Sequence, residues 1–179
     1  MCLILGYLGY NNYGDQILAD LLFARLKKKH GQDITINYLS SKNSWKEHFF
    51  LLLKSKKIFA IGGMFQDLTS SWSLFYYCLV IFMAKLLSKE IVIFAQGIGP
   101  LQTPLTRFIT KKTLKLANKI SVRDQESSDF LIEDRIPHIL VTDWAWTLVD
   151  EIENVDIKKF SELKKDSICV ALRDSKFIN

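Results

Sequence analysis

Gly62 and Gly63 are closely followed by Gln66, Asp67, Thr69 and Ser70, so an amide, a carboxylate and two hydroxyls gather behind a glycine pair. Glycine has no Cβ, which lets the backbone turn tightly or approach a ligand. A long apolar helix begins near Trp72. The first N–H groups of a helix lack partners and sit at the positive end of its dipole, where anions are favoured. The competing reading is that Thr69, Ser70 and Ser71 only cap that helix, since Ser and Thr are preferred caps. A second loop, Gly6-Tyr-Leu-Gly-Tyr-Asn-Asn-Tyr-Gly-Asp15, sets aromatic, amide and carboxylate groups among three glycines. The glycines fall as G-x-x-G-x-x-x-x-G, not the dinucleotide pattern G-x-G-x-x-G, and no Walker lysine follows. On its own this loop names no ligand.

The elements that must position these groups alternate along the chain. Cys2–Leu5, Ile34–Leu39, Ile58–Ile61, Glu90–Ala95, Ile120–Val122 and Ile139–Thr142 read as strands. Between them, Gln16–Lys29 carries apolar residues at helical spacing, with Asp15 where an N-cap belongs. Further helices are expected over Ser44–Lys54, 72–87, Leu105–Ala117 and Glu126–Ile132. Pro100 forces a turn after Gln96-Gly-Ile-Gly99. Polar or glycine residues follow nearly every strand: Gly62-Gly63, Gln96-Gly97, Arg123-Asp124 and Asp143.

This alternation predicts an α/β fold, a doubly wound and mostly parallel sheet flanked by helices. Ligands of such sheets bind outside the carboxyl ends of the strands. The expected organisation is a Rossmann-like domain over residues 1–150, a charged linker over 151–166, and 167–179 as the first strand of a second domain, cut short at Asn179.

With 24 Lys and Arg against 19 Asp and Glu, the 179-residue chain is mildly basic. The excess lies in short runs such as Lys27-Lys28-Lys29, compatible with solvated helix faces, anionic substrates or a membrane surface. It is too scattered for nucleic acid, and no nucleic-acid motif accompanies it. Cys2, Cys78 and Cys169 are far apart and form no C-x-x-C pair, which suits core thiols in a reducing compartment. The N-terminus lacks a basic signal-peptide region. A cytoplasmic protein is expected. The apolar run Leu74–Ala84 would span roughly 16 Å as a helix, about half of a ~30 Å hydrocarbon core. It is read as a buried helix and not a transmembrane span, with peripheral contact at the inner face of a membrane left open.

Four segments together resemble the polysaccharide pyruvyltransferase family: Gly6–Asp15, Gly62-Gly-Met-Phe-Gln-Asp-Leu-Thr-Ser70, Gln96-Gly-Ile-Gly-Pro100 and Ile120-Ser-Val-Arg-Asp124. A fifth, Thr142-Asp-Trp-Ala145, matches less sharply. The G-G-x-F-Q-D-x-T-S block is the most specific. Two departures stand out: Ile61 precedes Gly62-Gly63 where three glycines are common, and Asn11 replaces a frequent glycine. Ile61 is expected to narrow the room for a ligand.

The resemblance implies a two-domain, GT-B-like enzyme with its active site in the interdomain cleft, this chain being the N-terminal half. It implies transfer of a pyruvyl group from phosphoenolpyruvate to a saccharide of a cell-surface or exopolysaccharide unit, forming a cyclic ketal and releasing phosphate. An acid protonates the methylene carbon, one sugar hydroxyl attacks, and a second displaces phosphate. The reaction needs no metal and no cofactor beyond phosphoenolpyruvate as co-substrate. Arg123 is the catalytic candidate, because a guanidinium fork matches carboxylate or phosphate. The structural alternative is an ion pair with Asp124 or Asp143. Tyr10 and Asn12 are candidates for the sugar. Gly14, Asp15, Gly62, Gly63, Gln66, Asp67, Ser70, Gln96, Gly97 and Asp143 complete the expected substrate-binding set, with Asp67 also readable as a loop brace. The family's catalytic histidine belongs to the C-terminal domain, and His30, His48 and His138 match no family motif.

The partners implied are phosphoenolpyruvate, a saccharide acceptor that can be lipid-linked, and a missing C-terminal half or partner chain. Two other readings stay open: a GT-B sugar-nucleotide glycosyltransferase domain, and a non-catalytic truncated fragment marked by an exposed apolar face.

Overall fold

Apolar residues that alternate between two faces build the strands of this chain. Strands β1 (Cys2–Leu8), β2 (Ile36–Ser40), β3 (Lys57–Ala60), β4 (Glu90–Gln96), β5 (Lys119–Val122) and β6 (Ile139–Leu140) form one sheet in the order β2-β1-β3-β4-β5-β6. Every neighbouring pair is parallel. Helices α1 (Tyr13–His30), α2 (Trp45–Lys54), α3 (Ser71–Leu86), α4 (Pro104–Leu114) and α5 (Gln125–Ile132) make the crossovers, and a 3-10 turn covers Trp144–Leu148. The structure, a computed structural model, describes residues 1–9, 12–31, 35–40, 44–68 and 70–148. The expected linker and second-domain strand lie outside the described residues, as do Tyr10, Asn11, Thr69 and Cys169.

The sheet is a Rossmann-like α/β layer with two cores. On one face Leu3, Leu5, Ile58, Ala60, Ile91, Ile93, Ile120 and Val122 pack against side chains of α2 to α5. On the other, Ile4, Phe59, Ile61 and Val92 pack against Ala19, Leu22 and Leu26 of α1. Right-handed crossovers require this partition. The path from β1 to β2 moves one way across the sheet, and every later crossover moves the other. The reversal falls between β1 and β3, the switch point at which such sheets open a crevice.

Local chemistry sets the helix starts. Ser44 and Glu47 form a capping box on α2, and Thr103 with Thr106 does the same for α4, which has Pro104 in its first turn. Ser70 caps α3 through its hydroxyl, which accepts from the Ser73 N–H at 3.4 Å.

Several boundaries differ from the sequence reading, β1 running on to Leu8 and α4 ending at Leu114, and two of them bear on the site. Helix α1 begins at Tyr13 with Asn12 as N-cap, so Asp15 sits inside the first turn and does not cap it. The last strand stops at Leu140, and Asp143 leads into the 3-10 turn.

Candidate active site

Three strand ends lie side by side at the carboxyl edge. β3 runs into Gly62-Gly63, β4 ends in Gln96 before Gly97, and β5 delivers Arg123. The Gly97 N–H donates to the Gly62 carbonyl at 3.2 Å, the Gly99 N–H to the Phe65 carbonyl at 2.7 Å, and the Arg123 N–H to the Gln96 carbonyl at 3.2 Å. The segments after β3 and β4 are therefore laced together beside Arg123.

Arg123 is half-buried and anchored on one side only. Its Nη1 donates to Asp143 Oδ2 at 2.9 Å. Its Nε and Nη2 lie against Gly97, each 3.1 Å from where a Cβ would stand, and Nη2 is 4.0 Å from the corresponding point on Gly63. Among the described residues these two nitrogens have no hydrogen-bond acceptor. Asp124 does not pair with Arg123, because its Oδ1 accepts from the Ser127 N–H at 2.8 Å as the N-cap of α5.

Asp143 is itself held from outside the sheet. Its Oδ1 accepts from the Ala145 N–H at 2.9 Å. The intervening Trp144 packs on Phe94, ring centroids 4.1 Å apart, with the Arg25 guanidinium 5.4 Å from the indole. The aromatic anchor thus fixes the turn that presents the carboxylate. Trp144 was visible in the sequence, but nothing there tied it to α1 and β4.

Asp15 occupies a notch in β3's exit. Gly62 has φ +81, and a Cβ built on it would lie 2.4 Å from Asp15 Oδ1. The buried carboxylate accepts from the Tyr7 N–H at 3.0 Å through Oδ2. Burial pushes the Asp15 carboxyl above its ordinary pKa, while the Tyr7 N–H and the charge of Arg123 pull it back. The first turn of α1 is thereby coupled to the glycine pair after β3.

Gln96 reaches the same junction by a bulge. The β4–β5 register shifts between Ile93 and Gln96, Ala95 takes φ 44, and its N–H donates to Ser121 Oγ at 2.9 Å. Gln96 is fully buried, and its Nε2 donates to the Gly62 carbonyl at 2.5 Å and the Gly97 carbonyl at 3.3 Å. Its Oε1 is buried without a partner among the described residues. The side chain ties two strand ends together beneath the surface.

The other expected residues divide. Asp67 is buried; it accepts from the Gln102 N–H at 2.9 and 3.0 Å and from the Thr106 hydroxyl at 2.7 Å. Those contacts make it the brace between β3's loop and α4. Gln66 Oε1 accepts from the Leu68 N–H at 3.1 Å. Ser70 caps α3, as the bland reading of that stretch had it. Asn12 and Gly14 are exposed at the start of α1. Ile61 turns away from the site: its side chain is buried among α1's core, with Cγ1 3.1 Å from the missing Cβ of Gly6. The space it takes is core space, which Gly6 concedes.

Two aromatic rings that the sequence reading did not propose for the site are exposed at this edge, Trp72 lying edge-on to Phe75 at 6.3 Å. Tyr13 is 78% and Trp72 84% exposed, each at the first turn of a helix that leaves a glycine loop. Their position directly after those loops was the available signal. Behind them the Tyr7 hydroxyl bonds to that of Ser73, and its ring packs edge-on to Tyr77 at 5.2 Å.

None of the three histidines comes here. His48 Nδ1 pairs with the Tyr76 hydroxyl at 2.7 Å, His138 with Ser128 Oγ at 2.8 Å, and His30 ends α1. Among the described residues no group of three His, Cys, Asp or Glu is gathered as a metal ion would need. A cavity of about 250 Å³ lined by Leu114, Asn118, Lys119 and Pro137 opens at the opposite edge of the sheet and holds none of these groups.

Fold and site define a Rossmann-like α/β domain with a guanidinium poised over glycine at its carboxyl edge. The family model described as polysaccharide pyruvyl transferase matches residues 12–177, and the chain belongs to that family. Its general role is pyruvyl transfer, with a saccharide as acceptor. Neither the curated proteins nor the solved structures compared with the chain gave a match. No helix among the described residues is long and apolar enough to cross a membrane.

Proposed function

We propose that this domain binds phosphoenolpyruvate in the cytoplasm and contributes to the transfer of its pyruvyl group onto a saccharide of a cell-surface or exopolysaccharide unit, as a cyclic ketal. One observation carries the reading. Arg123 is tethered by Asp143 at Nη1, while Nε and Nη2 face backbone that has no side chain. A guanidinium edge so presented suits a carboxylate or phosphate in two-point contact, and the glycines let the anion come close.

In the reaction, a proton goes to the methylene carbon and cationic character develops at the carbon bearing phosphate. A sugar hydroxyl adds there, and a second hydroxyl expels phosphate to close the ketal. Arg123 holds the anionic donor through these steps, and Asp143 fixes the orientation of the fork. Tyr13 and Trp72 offer ring faces to the sugar, and Tyr10 and Asn12 offer an aromatic ring and an amide. Asp15 and Gln96 position the glycine backbone from below. The general acid comes from a second, GT-B-like domain on the same or another chain.

The test is phosphate release from phosphoenolpyruvate with a panel of saccharide acceptors, using the chain alone and together with the polypeptide encoded next to it. Release that depends on the acceptor and disappears in Arg123→Ala is the expected result. Release unaffected by Arg123→Ala would overturn the assignment.

A further inference from the structure

Helices α2, α3 and α4 lie over one face of the sheet, and their outward sides are apolar where a water-facing helix is normally charged. On α3, Leu79, Phe82 and Leu86 are exposed and Phe75 half-buried, a single stripe at helical spacing. Phe49, Phe50 and Leu53 of α2 and Leu105 and Phe108 of α4 are exposed as well; Phe50 and Phe108 each show more than half of their surface, at 56% and 58%. Between α2 and α3 runs an apolar groove of about 70 Å³, lined by Phe49, Leu52, Tyr76, Leu79, Val80 and Met83. Exposed apolar residues scattered singly need no explanation, but a contiguous set of this kind marks a contact surface.

Charge narrows what that contact is. Glu47 is the only carboxylate on the three helices, and it is engaged in the α2 capping box. Their basic residues are Lys46, Lys54, Lys85, Arg107, Lys111 and Lys112. Arg107 and Lys111 are bound to Glu133, and Lys111 also to Asp134. Lys54, Lys85 and Lys112 are exposed in the last turns of their helices. All three helices return antiparallel to a parallel sheet, so these ammonium groups share one end of the patch. Two rest on rings of the patch itself: Lys54 Nζ lies 4.2 Å from the Phe50 centroid and Lys112 Nζ 5.3 Å from that of Phe108.

Rings and aliphatic chains edged by long cationic stems suit a lipid–water interface, with the rings among acyl chains and the ammonium groups at phosphates. A second copy of the chain presenting this same face would bring no free carboxylate to the lysine row. We propose that the α2–α3–α4 face docks the protein on an anionic lipid bilayer, with Leu79, Phe82 and Phe108 in the interface and Lys54, Lys85 and Lys112 on the headgroups. This holds whatever the strand-end site transfers.

Co-sedimentation of the 179-residue chain with vesicles of phosphatidylcholine alone, or of phosphatidylcholine mixed with phosphatidylglycerol, tests it. Binding is expected on the anionic vesicles and should weaken as salt is added. Leu79→Ser with Phe82→Ser should lower the partition by about tenfold or more. Replacing Lys54, Lys85 and Lys112 by Gln leaves the apolar surface intact and should cost about fivefold per lysine on anionic vesicles only. Thermal melts of both variants confirm that they fold. Failure to bind anionic vesicles, or binding that ignores both sets of substitutions, overturns the proposal. So does a lipid-free dimer that Leu79→Ser with Phe82→Ser splits, which would assign the face to a second copy.

Discussion

Arg123 packs its Nε and Nη2 against the bare backbone of Gly97, 3.1 Å from the point at which a Cβ would stand. Because Asp143 holds Nη1, a methyl group added at Gly97 has to push the free edge of the guanidinium aside. Gly97→Ala should fold normally, since the far end of a flexible side chain can yield. Its affinity for phosphoenolpyruvate should fall roughly tenfold or more, the loss of a charged hydrogen bond being about 1.5–3 kcal/mol. Titration calorimetry measures this directly, and an unchanged affinity would separate Arg123 from the donor.

Gly62→Ala is expected to strike stability first. The new Cβ would meet the Asp15 carboxylate at 2.4 Å on a backbone with φ +81. Left-handed strain costs about 1–2 kcal/mol and overpacking about 1–3 kcal/mol. Adding Asp15→Ala should recover the packing part and leave the strain. Urea unfolding of both variants tells the two contributions apart.

Asp15→Asn should stabilise the fold at neutral pH and weaken function. The folded-state pKa of Asp15 is raised by burial, so the folded chain binds more protons than the unfolded one between the ordinary carboxylate pKa and the raised value. Stability therefore falls as pH rises through that window and stays reduced above it. Asparagine keeps an acceptor for the Tyr7 N–H and removes the buried charge. The gain in Tm should be present above the carboxylate range and vanish as pH drops below it; a gain independent of pH would contradict the sign.

Asp67→Ala separates bracing from binding. Removing the carboxylate takes the acceptor from the Gln102 N–H, while the Thr106 hydroxyl keeps the Thr103 carbonyl at 2.9 Å, and the cost is about 1–3 kcal/mol in all. A lower Tm with phosphoenolpyruvate affinity largely kept is the expected pattern. Affinity lost at full stability would instead place Asp67 against the ligand.

The alternation of strand and helix, and the glycine and polar residues at strand ends, were legible because they depend on local periodicity and backbone freedom. What local pattern could not reveal was long-range pairing. Asp15 reads as an N-cap in the sequence, yet it lies in the first turn of α1 and its carboxylate leaves the helix for Tyr7 and Gly62. Arg123 had two candidate acids close by, and the choice of Asp143 follows from Asp124 being needed to cap α5. Ile61 beside the glycine pair reads as an obstruction until strand alternation turns it toward Gly6. The bulge at Ala95 has no marker in the residue itself, whose N–H is taken up by the hydroxyl of Ser121 on the next strand.

The seating of Asp15 against Gly62 also imposes an order on biosynthesis. The ribosome delivers Asp15 well before β3, so the nascent α1 emerges with nothing to receive its carboxylate except the Tyr7 N–H. Gly97, Arg123 and Asp143 follow later still, each from a separate βα unit. Contacts of such sequence separation close late, after the chain has met the entropy of the intervening loops. This carboxyl edge therefore closes only once β3, β4 and β5 stand together, and shorter nascent chains lack part of it.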